Sequence, residues 1–453
     1  MIDSAALPPA VIIAIGSPAA VLLLLGVSAF SGIRLGERLV GNATIVAMAV
    51  SLSALLSAAV IFALSDRHPL RHTILPVAEG QSLTFDLLVD GRSLWFAVMT
   101  VFVCMVVAIF SHRYLHKESG YYRFFVQFNL FAIGMLLIGM AGSTTLLFAG
   151  WEFVGVSSAL LVAFFQERTA PLGNALRVFG VYRLSDAAML SAATVAHGTV
   201  GSTSLDVLFF GGGGDFLLST GTATAIAVLL VVAAAGKCAQ LPFSGWLPRS
   251  MEGPTPSSAV FYGALSIHAG AFVLLRAGPV LESAPVAQAI VITLGVATAL
   301  YATIVGRVQT DVKSTLAFAS LTQVSIILVE IGLGLYWFAL LHMTGHALVR
   351  LLQFLRAPSV LHDVHETRNA VGRHPDRSGT RLELLVPAKW RPALYRFALE
   401  RGYLDAGTDR FFIRPLVTIG AKLDRFERRL CSVVARQPTA EHRTGPLPGR
   451  PDD

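Results

Sequence analysis

The run TATAIAVLLVVAAAGKCA, Thr222–Ala239, followed after Gln240 by Leu241-Pro242-Phe243, decides the fold. It is apolar over the roughly 20 residues that a helix needs to cross a bilayer. Its one charge is the ammonium of Lys237. A charge at that depth is disfavoured by on the order of 3 kcal/mol or more unless it is paired or wetted, so by default it marks an ion or proton path. Pro242 cannot continue the helix, and broken helices occur in lipid where their freed backbone groups line a cavity.

The rest of the chain agrees with a membrane reading. Of 453 residues, 54% are hydrophobic and only 14% charged, against about 25% charged in soluble domains. Further apolar segments lie near 9–30, 41–64, 94–111, 124–142, 144–165, 176–198, 257–278, 284–305, 314–334 and 336–357. With the segment 222–240 these predict an all-α polytopic membrane protein of about eleven transmembrane helices, at least one of them discontinuous. The first reads as a mature span, since it lacks a basic start and Arg34 and Arg38 follow it. The three cysteines, Cys104, Cys238 and Cys431, form no metal or disulfide pattern, and no phosphate-binding glycine motif opens a helix. The run Gly211–Gly214 reads as a flexible connector. The expectation is a chain with no cofactor, no metal, and no redox or hydrolytic centre of its own.

The net charge of +7 is unevenly placed, with about half of the Lys and Arg after residue 360. Loops after odd-numbered spans hold most of the remaining basic residues. The positive-inside rule then puts those loops and the C-terminus in the cytoplasm and the N-terminus outside. The second loop contains SLTFDLLVDG, Ser82–Gly91, which predicts a short hairpin on the outer face. Residues 1–361 form the membrane domain and 362–453 a basic tail. Within the tail, 390–432 predict amphipathic helices for a membrane surface or partner, and 436–453 a disordered end. Lipid and partner subunits explain the basic excess, and nucleic acid is not needed.

Other ionisable groups fall inside the spans. Glu152 sits in TTLLFAGWEFVGVSSALL, and Arg183 and Asp186 lie one helical turn apart in VFGVYRLSDAAML. His342, His346 and Arg350 follow at i, i+4 and i+8, one stripe of a helix. Glu330 comes late in SIILVEIGLG, toward the outer mouth. Burial disfavours a charged lysine and a nearby carboxylate favours it, so a movable Glu152–Lys237 contact would switch the lysine's proton. Histidine is the natural relay near neutral pH. Each group also has a plainer reading: Glu152 with Lys237, and Arg183 with Asp186, fit structural ion pairs that hold helices together.

These residues fall in recognisable words: WEFVGVSSALL, NALRVFGVYRLSDA, GKCAQLPFSGWLPRSMEGPTPSSA, DVKSTLAFASLTQ and HMTGHALVRLLQFLRAPSVLHD. Over residues 80–365 the chain resembles the proton-translocating antiporter-like subunits. These include subunit L of NADH–quinone oxidoreductase, the large Mrp antiporter subunits and the membrane subunit of DAB-type inorganic carbon transporters. The tail piece GYLDAGTDRFFIRPL resembles the C-terminal part of the subunit L group. The resemblance implies an antiporter-like fold. It makes Glu152 and Lys237 a gating pair, His342 and His346 the helix-eleven histidines, and Arg177 the occupant of a usual lysine position. Pro242 belongs to the break, and Lys313 to the helix-ten motif, as structural or gating residues.

Departures from the family pattern shape the expectation. Tyr262 stands where helix eight usually has a linking histidine, and His268 follows six residues on, on a different face. Arg350 replaces a lysine; arginine keeps its proton, so it is a fixed charge and not a carrier. The family's helix twelve and lateral helix have no counterpart in this sequence, which points to an assembly other than complex I. The resulting expectation is a proton-conducting subunit of a bacterial cytoplasmic membrane complex. Protons enter by Glu152 and Lys237, pass Tyr262 or His268 to His342 and His346, and Glu330 substitutes for an absent carrier. The driven process is first of all inorganic carbon uptake with a large soluble zinc-containing partner. A subunit L-like component of a quinone oxidoreductase, a cation/proton antiporter subunit and a non-conducting scaffold are the alternatives.

Overall fold

The computed structural model describes residues 7–33, 35–65, 68–76, 84–210, 218–357 and 386–435. Within them the chain is a bundle of antiparallel helices with one small hairpin. The first spans are α1 (Leu7–Phe30) and α2 (Glu37–Leu64). Strands β1 (Leu70–Pro76) and β2 (Thr84–Val89) pair antiparallel, with an irregularity between Thr73 and Leu75. Then come α3 (Gly91–Tyr114), α4 (Tyr121–Met140), α5 (Thr144–Val162), α6 (Thr169–Val200) and α7 (Thr220–Lys237). The discontinuous α8 (Thr255–Arg276) precedes α9 (Pro285–Gly306), α10 (Val312–Gly332) and α11 (Tyr336–Arg356). Ten of these are long and apolar enough to cross a membrane; α6 is long enough but is made more polar by Arg177, Arg183 and Asp186. Eleven membrane helices is therefore a fair reading of the sequence, although α6 depends on its neighbours to shield three charges.

Local signals start the helices where the sequence places them. Asp90 caps α3 in a reciprocal box with Ser93, the Ser93 amide donating to Asp90 at 2.7 Å and the Asp90 amide to Ser93 Oγ at 2.8 Å. Ser143, Ser219 and Asp311 accept from the first-turn amides of α5, α7 and α10. The motif SLTFDLLVDG supplies β2, and its partner strand precedes it. Asp86, fully buried, accepts from Thr73 at 2.7 Å, from Thr84 at 2.5 Å and from Arg71. This hairpin closes the end of the bundle where α3 and α5 begin, called here the hairpin side.

Outward faces of α1, α2 and α9 carry exposed Leu, Ile and Val, whereas every residue of α8 is buried. The central helix is also the irregular one. It begins α-helical at Thr255–Ser257, widens to a π-helix at Ser258–Ala264, bends at Leu265 (φ −121°, ψ −63°) and resumes at Ser266–Arg276. Wider turns of this kind are rare and re-aim side chains within a helix.

Tail residues 391–413 dock on the opposite end. In α12 (Arg391–Leu399) Ala398 is buried. Tyr301 Oη donates to the Arg401 carbonyl at 2.9 Å, and Arg177 of α6 is paired with Asp409. Arg177, expected only as a lysine substitute, thus anchors the tail. Beyond it, α13 (Arg414–Ala435) exposes Ile419, Leu423, Phe426 and Leu430 along one face. The expected glycine connector at 211–214, residues 362–385 and the expected disordered end lie outside the described residues.

Candidate functional site

Helix α7 ends at Lys237, ahead of Pro242. The Cys238 amide closes the last turn on Ala234 O at 2.7 Å, Ala239 turns left-handed at φ +54°, and the Leu241–Pro242 peptide is cis. A left-handed turn at a non-glycine residue costs roughly 1–2 kcal/mol, so its surroundings must hold it. Trp246 Nε1 donates to Gly236 O at 3.0 Å, Leu241 N to Thr298 Oγ1 at 3.2 Å, and Ser325 Oγ to Gln240 Oε1 at 3.0 Å. Lys313 Nζ reaches the carbonyls of Met251 and Gly253 at 3.4 and 3.1 Å, satisfying backbone freed at the end of the same break.

Lys237, the last residue of α7, is fully buried. The expected contact with Glu152 is not formed. Lys237 Nζ instead donates to the Trp151 carbonyl at 3.0 Å and lies 4.8 Å and 4.3 Å from the ring centroids of Trp151 and Tyr182. Glu152 is held by Arg183, whose Nη2 is 2.7 Å from Glu152 Oε2 and 2.7 Å from Asp186 Oδ2. The expected Arg183–Asp186 pair is present, and the arginine is shared. Helix packing explains the correction: α6 lies between α5 and α7, so its planar guanidinium, which can serve two carboxylates at once, reaches Glu152 first. Gly155, one turn beyond Glu152, makes room for the ammonium; a Cβ there would stand 3.1 Å from Nζ.

Aromatic rings lead from the lysine toward the bundle centre. Tyr182 packs edge-on against Trp246 at 5.2 Å, and Trp246 against Tyr262 at 5.5 Å. Tyr262 Oη donates only weakly, to Ser158 O at 3.3 Å. The buried hydroxyls of Ser158 and Ser258 have no partner among the described residues. Groups of this kind are where buried water is held.

A second group lies between α8 and α11. His268 Nε2 and His346 Nδ1 are 2.9 Å apart, and His268 Nδ1 is 2.6 Å from the Ala264 carbonyl. Six residues of straight helix would turn His268 about 240° from Tyr262. The π-helix and the bend change that direction and bring His268 onto α11. They also free the acceptor, because the His268 amide donates to Leu265 O at 2.8 Å and leaves Ala264 O for the ring. Arg350 Nε points at His346 Nε2 at 3.4 Å, and its Nη1 donates to Gln353 at 2.5 Å. The Ala264 carbonyl can only accept and Arg350 can only donate. The row therefore runs one way, Arg350 to His346 to His268 to Ala264, with both rings neutral.

His342, one turn along α11, turns elsewhere: its Nδ1 is 2.7 Å from Glu330 Oε1 and its Nε2 is 3.0 Å from Gln323 Oε1. Thus most predicted site residues form two clusters, one around Lys237 and one along α11, while Arg177 lies apart on Asp409 of the tail and Lys313 on the carbonyls of Met251 and Gly253. Trp151, Gly155, Tyr182, Gln323 and Ala264 were not anticipated. Adjacency to Glu152 and Arg183 was the one available signal for Trp151 and Tyr182.

A buried lysine beside a helix break, carboxylates on the two neighbouring helices and a separate histidine row all lie inside a polytopic bundle of membrane-length helices. The family profile described as NADH:quinone oxidoreductase/Mrp antiporter, TM, matches residues 141–372, just over half of the chain. That described as NADH-Ubiquinone oxidoreductase (complex I), chain 5 N-terminus, matches residues 76–125. The chain belongs to this NADH:quinone oxidoreductase/Mrp antiporter family. It is 33% identical over 294 residues to NADH-quinone oxidoreductase subunit L of Mycobacterium tuberculosis, covering 64% of this chain and 46% of the relative. To subunit L of Neisseria meningitidis serogroup B it is 30% identical over 370 residues, 77% of this chain and 53% of the relative. The solved Mrp complex from Dietzia sp. DQ12-45-1b matches with a TM-score of 0.65 and 26% identity, covering 77% of this chain and 37% of that one. The chain spans about half the length of the curated relatives it matches.

Proposed function

We propose that this chain is a proton-conducting subunit of a multi-subunit membrane complex, in the manner of subunit L or an Mrp antiporter subunit. The observation that carries the reading is Lys237: a fully buried ammonium with no carboxylate in contact among the described residues, beside a carboxylate held by a competing arginine. Glu152 has two destinations, Arg183 and Lys237. The counter-charge offered to the lysine differs between them, and that difference is what a proton switch requires. From Lys237 the buried hydroxyls around Tyr262 run toward His268, which takes over the linking role from Tyr262 and passes a proton to His346 when the His346 ring turns away from Arg350. Arg350 stands at the tail-side end of the row as a permanent positive charge.

By the positive-inside rule the tail side faces the cytoplasm of a bacterial inner membrane and the hairpin side faces out. The docked tail and the exposed face of α13 suit attachment to other subunits at the inner surface. A quinone oxidoreductase or Mrp-type assembly is favoured over inorganic carbon uptake, because the relatives named above are of those two kinds. A soluble zinc-containing partner belongs to the inorganic carbon reading and draws no support from these relatives. The test is proton flux into sealed proteoliposomes holding the purified complex. Lys237→Ala is expected to abolish flux while the complex assembles normally; flux that survives the change would leave the scaffold reading standing.

A further inference from the structure

The histidine row is closed toward the tail side, because Arg350 occupies His346 Nε2 and its charge repels a returning proton. A path through His346 must therefore open toward the hairpin side. The groups found there are His342 and Glu330. Helix α11 starts on the hairpin side at Tyr336, so His342 lies about 9 Å in and His346 about 15 Å in, at the ~1.5 Å rise of a helix. Glu330 is in the last turn of α10, where the Leu335 amide donates to its carbonyl at 2.9 Å and closes the turn into α11.

The Glu330 side chain is 9% exposed, and its Oε2 is buried without a hydrogen-bond partner among the described residues. One carboxylate oxygen thus grips His342, while the other is left for a proton or a water. An orphaned charged oxygen is a large penalty in a merely structural contact. Gln323 sits on the other ring nitrogen, and its amide can present oxygen or nitrogen, so it serves His342 in either protonation state.

We infer that Glu330 and His342 form the terminal proton site of this chain, opening on the hairpin side. This rests on the conduction reading above. The proton on His342 Nδ1 passes to Glu330 Oε1: the N–H bond breaks, the O–H bond forms, and the imidazolium and carboxylate become neutral imidazole and carboxylic acid. The acid then gives its proton to water on the hairpin side, restoring the carboxylate; the neutral His342 ring, left with its proton on Nε2 and its lone pair on Nδ1, turns its Nδ1 from Glu330 toward His346, accepts the next proton there and turns back. The ionisable groups around this path are His346 on α11 and His268 on α8 toward the centre. Toward the surface they are Tyr336 on α11, Glu282 before α9, Arg92 on α3, and Arg276 of α8 paired with Asp90.

A hydrophobic carbodiimide, which modifies only protonated carboxyl groups, tests the site in the intact complex. In sealed, oriented proteoliposomes, modification of Glu330 read by mass spectrometry should follow the pH on the hairpin side and ignore the pH on the tail side. Glu330→Gln keeps the hydrogen bond to His342 but carries no proton; it should lower flux at least about tenfold, with Glu330→Asp restoring part of it. Modification that follows tail-side pH overturns the outlet. So does parental flux in Glu330→Gln when Lys237→Ala is inactive, and conduction itself then stands. Parental flux in both variants overturns the conduction reading, and the outlet with it.

Discussion

Arg183 holds two carboxylates at the same distance, yet the structure predicts that they are held with unequal strength. The Glu152 side chain is 24% exposed and that of Asp186 5%. A partly wetted pair is worth about 0–1 kcal/mol, whereas removing one partner of a buried pair costs roughly 3–5 kcal/mol. Arg183 is itself a third exposed, and Lys237 lies close enough to act on Asp186. Both reduce the buried figure, to about 2–3 kcal/mol for the Arg183–Asp186 link. Two double-mutant cycles separate the links. In detergent, reversible unfolding should give a coupling of about 2 kcal/mol between Arg183→Gln and Asp186→Asn, and under about 1 kcal/mol between Arg183→Gln and Glu152→Gln. Equal couplings, or a larger one for Glu152, would refute the reasoning. The asymmetry matters for function: a carboxylate held by under about 1 kcal/mol can leave Arg183 for Lys237 at little cost, and one held by 2–3 kcal/mol stays as a fixed counter-charge.

Other outcomes follow from the same geometry. Gly155→Ala places a methyl 3.1 Å from Lys237 Nζ; the flexible ammonium yields, so the protein should fold normally while proteoliposome flux falls. His268→Phe breaks the row to His346 and should stop flux, whereas Tyr262→Phe, which loses the weak 3.3 Å bond to Ser158 O, should conduct; the reverse result returns the linking role to Tyr262. Arg350→Lys keeps the charge and should leave flux near the parental rate, while Arg350→Met lowers it; a rate raised by lysine would show that a titratable group is wanted there. Asp409→Asn removes the ion pair with Arg177, so hydrogen exchange in 401–413 should quicken while the spans keep their protection.

Much of this protein can be read along the chain because lipid leaves few choices. About 20 apolar residues must form a helix, and a proline after them must end it, so the spans, the hairpin and the break beside Lys237 follow from local composition. The stripe His342, His346 and Arg350 is likewise local, since helical period alone aligns residues four apart. Partnership is different. Glu152 meets Arg183 before Lys237 because α6 packs between their helices, and no spacing in the sequence contains that fact. His268 reaches His346 because a π-helix and a bend at Leu265 change the direction in which it points, which an ideal helical wheel assigns wrongly. Glu330 looks like a stray carboxylate late in a span until the α10–α11 turn folds it onto His342. The sequence by itself determined which charges lie in the membrane; the tertiary structure decided which of them touch, because contact depends on how neighbouring helices cross and where one of them departs from regular geometry.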